Sequence, residues 1–175
     1  METSWKQSLA WVLKSEGGNN DDPIDPGGRT HDGITQNEYN AYCTIAGLPH
    51  GDVYACPDPV RDDIYHRSYW LPYCPTLPPG PDYIFFDECV NAGLHEAALV
   101  LQRALGVTAD GQIGVITSAA IVAAKSAELI DAMSAQRVAV YNAIIAAHPR
   151  LVKFRSGWMS RVSFAQKNAH TLVVP

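Results

Sequence analysis

A mainly α-helical fold with one small β-hairpin is predicted by three features of the sequence. Apolar residues recur at helical spacing along most of the 175 residues. Glycine or proline stands where nearly every such run stops. Only the stretch from Arg29 to Thr35 has the turn-flanked shape of a hairpin.

Taken in order, the first helix is expected to open at Ser4. Ser4-Trp5-Lys6-Gln7 has the form of a capping box, and Trp5, Leu9, Val12 and Leu13 follow on one face. Gly17-Gly18 stops it. Residues 19–35 are polar, with Asp25-Pro26-Gly27-Gly28 as the sharpest turn. Thr35-Gln36-Asn37-Glu38 is a second capping box and predicts a helix through Tyr39, Tyr42 and Cys43 to Gly47. Asp58-Pro59 opens a third, carrying Ile64, Tyr65 and Trp70 and broken by Pro72. Five prolines between 72 and 81 make a stiff connector. A buried helix is expected from Asp82 to Ala92, rich in Tyr83, Ile84, Phe85, Phe86, Cys89 and Val90, with Gly93 as its stop. Further helices are expected over Glu96–Leu105, Thr117–Lys125, Ala127–Ala147 and Ser156–Lys167, with Asp110-Gly111 as a turn.

Composition narrows the function. The chain is 47% apolar and 18% charged, enough to fill the core of one domain or of a domain with a small annex. A net charge of −5 argues against a dedicated nucleic-acid binder. No apolar run reaches the roughly 18 residues of a membrane-spanning helix. The first residues lack the apolar core of an export signal, so the chain as given is expected to start in the cytoplasm. Cys43, Cys56, Cys74 and Cys89 form no CxxC pair and are expected to be buried free thiols, with disulfides only in an oxidising compartment. The six histidines are dispersed, and neither a metal motif nor a phosphate loop is present, so no metal and no cofactor are expected.

Glu16 is the first candidate for chemistry. At the C-terminal end of a helix its carboxylate would face the negative end of the helix dipole, and cover from Trp5 or Trp11 would add desolvation. Both effects favour the protonated form, as a general acid for glycoside cleavage requires. Asp25 lies nine residues later and Thr30 five after that, joined by a turn that folds the chain back. Two carboxyl groups and a hydroxyl on one cleft wall suit glycoside hydrolysis: one acid protonates the leaving oxygen, and the other groups hold the water or stabilise charge. Asp21 and Asp22 compete with Asp25 for the second role, and turn capping is an alternative use of all three.

The run Glu16-Gly17-Gly18, Asp21 to Thr30, then Gly33-Ile34-Thr35 resembles the opening of glycoside hydrolase family 108, phage-associated lysozymes and related bacterial muramidases. The resemblance continues in Ile64-Tyr65 with Tyr69-Trp70, in Phe86-Asp87 with Val90 to Gly93, and in a closing Gly157-Trp158 with Arg161-Val162. Leu101 to Val107, Asp110 to Gly114 and Thr117 are similar to a small helical peptidoglycan-binding motif. Asn19, Asp32 and Glu88 stand where the family carries aromatics, and Val115 where proline often follows, which bears on stacking against sugar rings.

The resemblance implies a lysozyme-like fold, a helical bundle with the hairpin beside the cleft. It implies a catalytic lobe over 1–81 and a helical lobe with the peptidoglycan-binding-like segment over 82–175, packed as one unit. It implies an N-acetylmuramidase with Glu16 as acid, assisted by Asp25 and Thr30, acting by inversion with carboxyl groups roughly 6.5–9.5 Å apart. Asp87 and Asn91, one helical turn apart, and Tyr69 are candidates for contact with sugar, with tertiary hydrogen bonding and core packing as their other uses. The Asp110–Gly114 turn is read equally as structural or as a wall-binding site. The expected setting is a phage endolysin, monomeric, made in the host cytoplasm and reaching the periplasm or wall at lysis, with holin-dependent access. A non-catalytic peptidoglycan-binding module, a virion structural protein and a lytic transglycosylase are the competing readings.

Overall fold

The computed structural model describes residues 2–16, 18–20 and 29–173. Eight α-helices and a three-stranded antiparallel sheet lie among them: α1 Glu2–Ser15, β1 Asn19–Asn20, β2 Thr30–His31, β3 Ile34–Thr35, α2 Gln36–Ala46, α3 Asp58–Tyr65, α4 Pro81–Ala92, α5 Leu94–Leu105, α6 Val115–Ala123, α7 Ser126–Ala147 and α8 Arg155–His170. This is the mainly helical, lysozyme-like architecture expected. No described helix is long and apolar enough to cross a membrane.

Helix α4 is the axis of the molecule. Every residue from Pro81 to Cys89 is buried, because α1, α5, α7 and α8 cover it on all sides. It therefore belongs to the cores of both halves: Phe86 meets Trp5, Tyr65 and Trp70 edge-on, while Ile84, Phe85, Leu101, Ile130 and Met133 are fully buried in the same cluster. All four cysteines are buried free thiols. Burial pushes the thiols of Cys56, Cys74 and Cys89 up from their ordinary range, which keeps them in the unreactive protonated form.

Local signals held where the bonds they need are local. Thr35 caps α2, accepting from the Glu38 N–H at 3.2 Å, while the Thr35 N–H donates to Glu38 at 2.9 Å. Pro59 sits in the first turn of α3. The helix then tightens no further but widens: His66–Trp70 is a π-helical turn, which the apolar spacing did not announce. Ser4 is a correction. Helix α1 begins two residues earlier than expected, and from inside it the Ser4 hydroxyl donates to the buried Asp82 carboxylate at 2.8 Å. The sheet is also larger than the hairpin predicted, because β1 pairs with β2, Asn19 opposite His31 and Asn20 opposite Thr30.

Candidate active site

Glu16 sits where α1 ends, and its N–H still donates to the Val12 carbonyl at 3.0 Å. Its side chain is 21% exposed. The β2–β3 turn lies directly against it: a β-carbon built on Gly33 would stand 3.3 Å from the Glu16 carboxylate and on top of the Tyr65 hydroxyl. Gly33 has φ +81° and Asp32 φ +46°, a pair of left-handed residues that closes the tight hairpin.

Helix α3 fixes that turn in place. The Tyr65 hydroxyl donates to the Asp32 carbonyl at 2.6 Å, and Arg61 reaches the Asp32 carboxylate at 3.1 Å. Arg61 also binds Asp58 and Asp62, so its guanidinium is anchored independently of the hairpin. Burial and the nearby Glu16 push the Tyr65 phenol far up, so it serves as a donor and not as an acid. Asp32 thus replaces an aromatic with an ion-paired turn residue. The far edge of the hairpin is tied by Arg29, which pairs with Asp52 at 3.0 Å and lies 4.2 Å over the Tyr54 ring.

The tryptophans expected over Glu16 lie elsewhere. Trp11 packs on Tyr83, and Trp5 on His66, Trp70 and Phe86. The group that meets the acid comes from the far end of the chain: Arg161 of α8 donates from Nη1 to Glu16 Oε1 at 2.7 Å. Arg161 is held in turn by Asp87, with Nε–Oδ1 at 3.2 Å and Nη2–Oδ1 at 3.1 Å. Arg161 was visible in the sequence only as part of the closing Gly157 to Val162 segment, with no role attached.

The remaining candidates fall into place as follows. Thr30 is on β2, opposite Asn20 and Thr35, in the hairpin whose turn abuts Glu16. Asp25, with Asp21 and Asp22, lies outside the described residues. Asp87 is corrected from sugar contact to ion pairing: it is fully buried at the crossing of α4 with α7 and α8, where no sugar reaches it. Asn91 is exposed and donates to the Tyr141 hydroxyl at 2.8 Å. Tyr69 is half-buried, tilted against Tyr65, and donates to Glu38 at 2.6 Å. That bond together with burial pushes its phenol far up. Glu88 is buried beside Arg137, away from the cleft, so its departure from an aromatic removes no stacking surface there. Among the described residues no group of His, Cys, Asp and Glu is arranged to hold a metal ion.

The peptidoglycan-binding-like segment spends its polar groups internally. Buried Gln102 donates to Asp110 at 2.7 Å, the Gln112 carbonyl at 3.0 Å and Thr117 at 3.2 Å, and accepts from the N–H groups of Asp110 and Gly111. Those residues shape the loop.

The fold is mainly helical and lysozyme-like, and a partly exposed, guanidinium-held carboxylate lies against its hairpin. Residues 9–93 match the family model described as Glycosyl hydrolase 108, and residues 96–163 match one described as Predicted Peptidoglycan domain. The two matches follow one another along the chain, and neither spans half of it. The chain is similar to the solved structure of Brucella abortus SagA, with a TM-score of 0.78 and 29% identity over 98% of this chain and 97% of that one. No curated protein matches the sequence. The likenesses are thus to a glycosyl hydrolase family and to a peptidoglycan domain.

Proposed function

We propose that the protein is an N-acetylmuramidase that hydrolyses the β-1,4 bond between N-acetylmuramic acid and N-acetylglucosamine, with Glu16 as its general acid. The observation that carries this reading is the Glu16 carboxylate, 21% exposed and held at 2.7 Å by Arg161. In the proposed reaction the Glu16 proton passes to the glycosidic oxygen as the bond to the muramic C1 breaks. Water attacks C1 and its proton goes to a base; Asp25 with Thr30 fills that role. Attack from the face opposite the leaving oxygen inverts the configuration at C1.

The setting we propose is a monomeric phage endolysin, made in the host cytoplasm and let through to the periplasm or wall by a holin, without a nucleic-acid partner. Its halves, 1–81 and 82–175, act as one compact unit.

The test is release of soluble muropeptides from purified sacculi by the wild type and by Glu16→Gln, with mass analysis of the ends. Reducing muramic ends from the wild type and a loss of at least about 10³-fold in a folded variant are expected. Equal release from both would move the acid elsewhere. Anhydro ends would indicate a lytic transglycosylase, and no release from either would favour a binding or virion structural protein.

A further inference from the structure

Charge is divided unevenly along this chain. Residues 132–175 hold six Lys and Arg and no Asp or Glu, whereas residues 1–131 hold seven cations against eighteen acids. Two of the six, Arg137 and Arg161, are spent on the buried Asp87. The other four, Arg150, Lys153, Arg155 and Lys167, are exposed, and none forms an ion pair with a described residue. A protein of net charge −5 thus carries an uncompensated cationic face.

The cations share that face with apolar groups. A 3₁₀ turn over Pro149–Phe154 leads into α8, and in it Val152 and Phe154 are 57% and 46% exposed. Lys153 lies 4.8 Å over the Phe154 ring, so cation and ring project together. Along α8 the buried stripe is Val162, Ala165 and Ala169. At about 3.6 residues per turn, Ser156, Ser160, Ser163 and Lys167 fall on the opposite side. There Val152, Arg155, Met159, Phe164 and Lys167 line an open groove of about 790 Å³, enough for a whole lipid headgroup. Arg161 leaves the helix nearer its inward side to reach Glu16, so the groove and the acid lie on different faces of α8.

We propose that this face docks the protein on a bilayer rich in anionic phospholipid: Val152 and Phe154 enter the headgroup layer, and Arg150, Lys153, Arg155 and Lys167 meet the lipid phosphates. Two observations choose a lipid surface over a soluble polyanion. Interleaved cationic and apolar side chains suit a bilayer interface, where the apolar ones leave water, whereas a string of phosphates gains nothing from Val152. The acidic remainder of the chain repels any polyanion that wraps the molecule, but a flat surface meets one face only. Each cation near such a surface strengthens binding about fivefold, and salt weakens the attraction. Docking by the outward side of α8 leaves the side that holds Glu16 off the bilayer. The inference stands independently of the reaction proposed for Glu16.

The test is sedimentation of the full chain with vesicles of phosphatidylcholine alone and of phosphatidylcholine mixed with phosphatidylglycerol, at about 0.1 M salt. Pelleting with the mixed vesicles and not with the neutral ones is expected. The triple variant Arg150→Gln, Arg155→Gln, Lys167→Gln is expected to bind about 10²-fold more weakly. The double variant Val152→Ser, Phe154→Ser is expected to lose about tenfold. All five positions are exposed, and circular dichroism checks that both variants keep the wild-type fold. No pelleting with mixed vesicles, or equal pelleting with both kinds, overturns the proposal. So does wild-type vesicle binding by the Val152→Ser, Phe154→Ser variant. Duplex DNA and lipid-free sacculi serve as the polyanion controls: binding to either that is as tight as to mixed vesicles, and lost in the triple variant, assigns the face to a polyanion and overturns the lipid surface. Muropeptide release by the wild type and Glu16→Gln is read separately, so failure of the docking and failure of the general acid are distinguishable.

Discussion

The hairpin at Glu16 and the loop around Gln102 are both dense in motif residues, both tightened by a left-handed glycine, yet they use their polar groups in opposite ways. At the hairpin, Gly33 lets the turn lie against a carboxylate that keeps 21% of its surface open. In the loop, Gly111, φ +76°, lies under the His95 ring, and Gln102 directs both ends of its amide inward, at 1% exposure. The first arrangement leaves hydrogen-bonding capacity for a substrate. The second consumes it. A motif marks a demanding local geometry, and only the partners of its polar atoms tell whether the demand is chemical or structural.

The widest separation between the two regions is expected from Gln102→Ala. It leaves the Asp110 and Gly111 N–H groups without their buried acceptor and opens a cavity, at a cost of roughly 3–4 kcal/mol. Urea unfolding checks the loss. The kcat of the folded variant on sacculi is expected to match the wild type, and a fall beyond the unfolded fraction would make the loop part of the site.

Gly33→Ala should instead strike stability and activity together. The left-handed backbone costs about 1–2 kcal/mol with a β-carbon, and that carbon presses on Tyr65 and Glu16. A misplaced acid is expected to lose about 10²-fold in kcat/KM, more than the unfolding curve accounts for. Proportionate losses would erase the contrast.

The smallest effect concerns Asp110→Asn. The Gln102 amide and the Gln112 N–H donate to the Asp110 carboxylate and hold it below the usual carboxylate range. The folded state then binds fewer protons than the unfolded one near the ordinary carboxylate value. The resulting stabilisation is complete above about pH 4 and disappears as pH falls through the folded value. Asn can accept the same bonds without titrating. The urea midpoint of the wild type is therefore expected to drop more between pH 7 and pH 3 than that of the variant.

The sequence by itself determined those features whose cause is local. The Thr35–Glu38 box, the Gly47 and Gly93 stops and the Pro59 start need only neighbours within a turn, and each stands as read. So does the placement of Glu16 at a helix end beside a hairpin. Ser4 shows the limit: the same box-like pattern served a carboxylate 78 residues away, because the helix starts at Glu2 and carries Ser4 inside it, with its hydroxyl donating to the buried Asp82. Tertiary structure alone decided that Arg161, 145 residues from Glu16, would grip the acid. It also decided that Asp87, read as a sugar ligand, would be walled in by α7 and α8, and that Glu88, read as a lost aromatic, would answer Arg137. Helical periodicity reports which face of a segment is buried. It carries no record of which distant charge will be buried against it, and inside a core that pairing determines what each carboxylate can do.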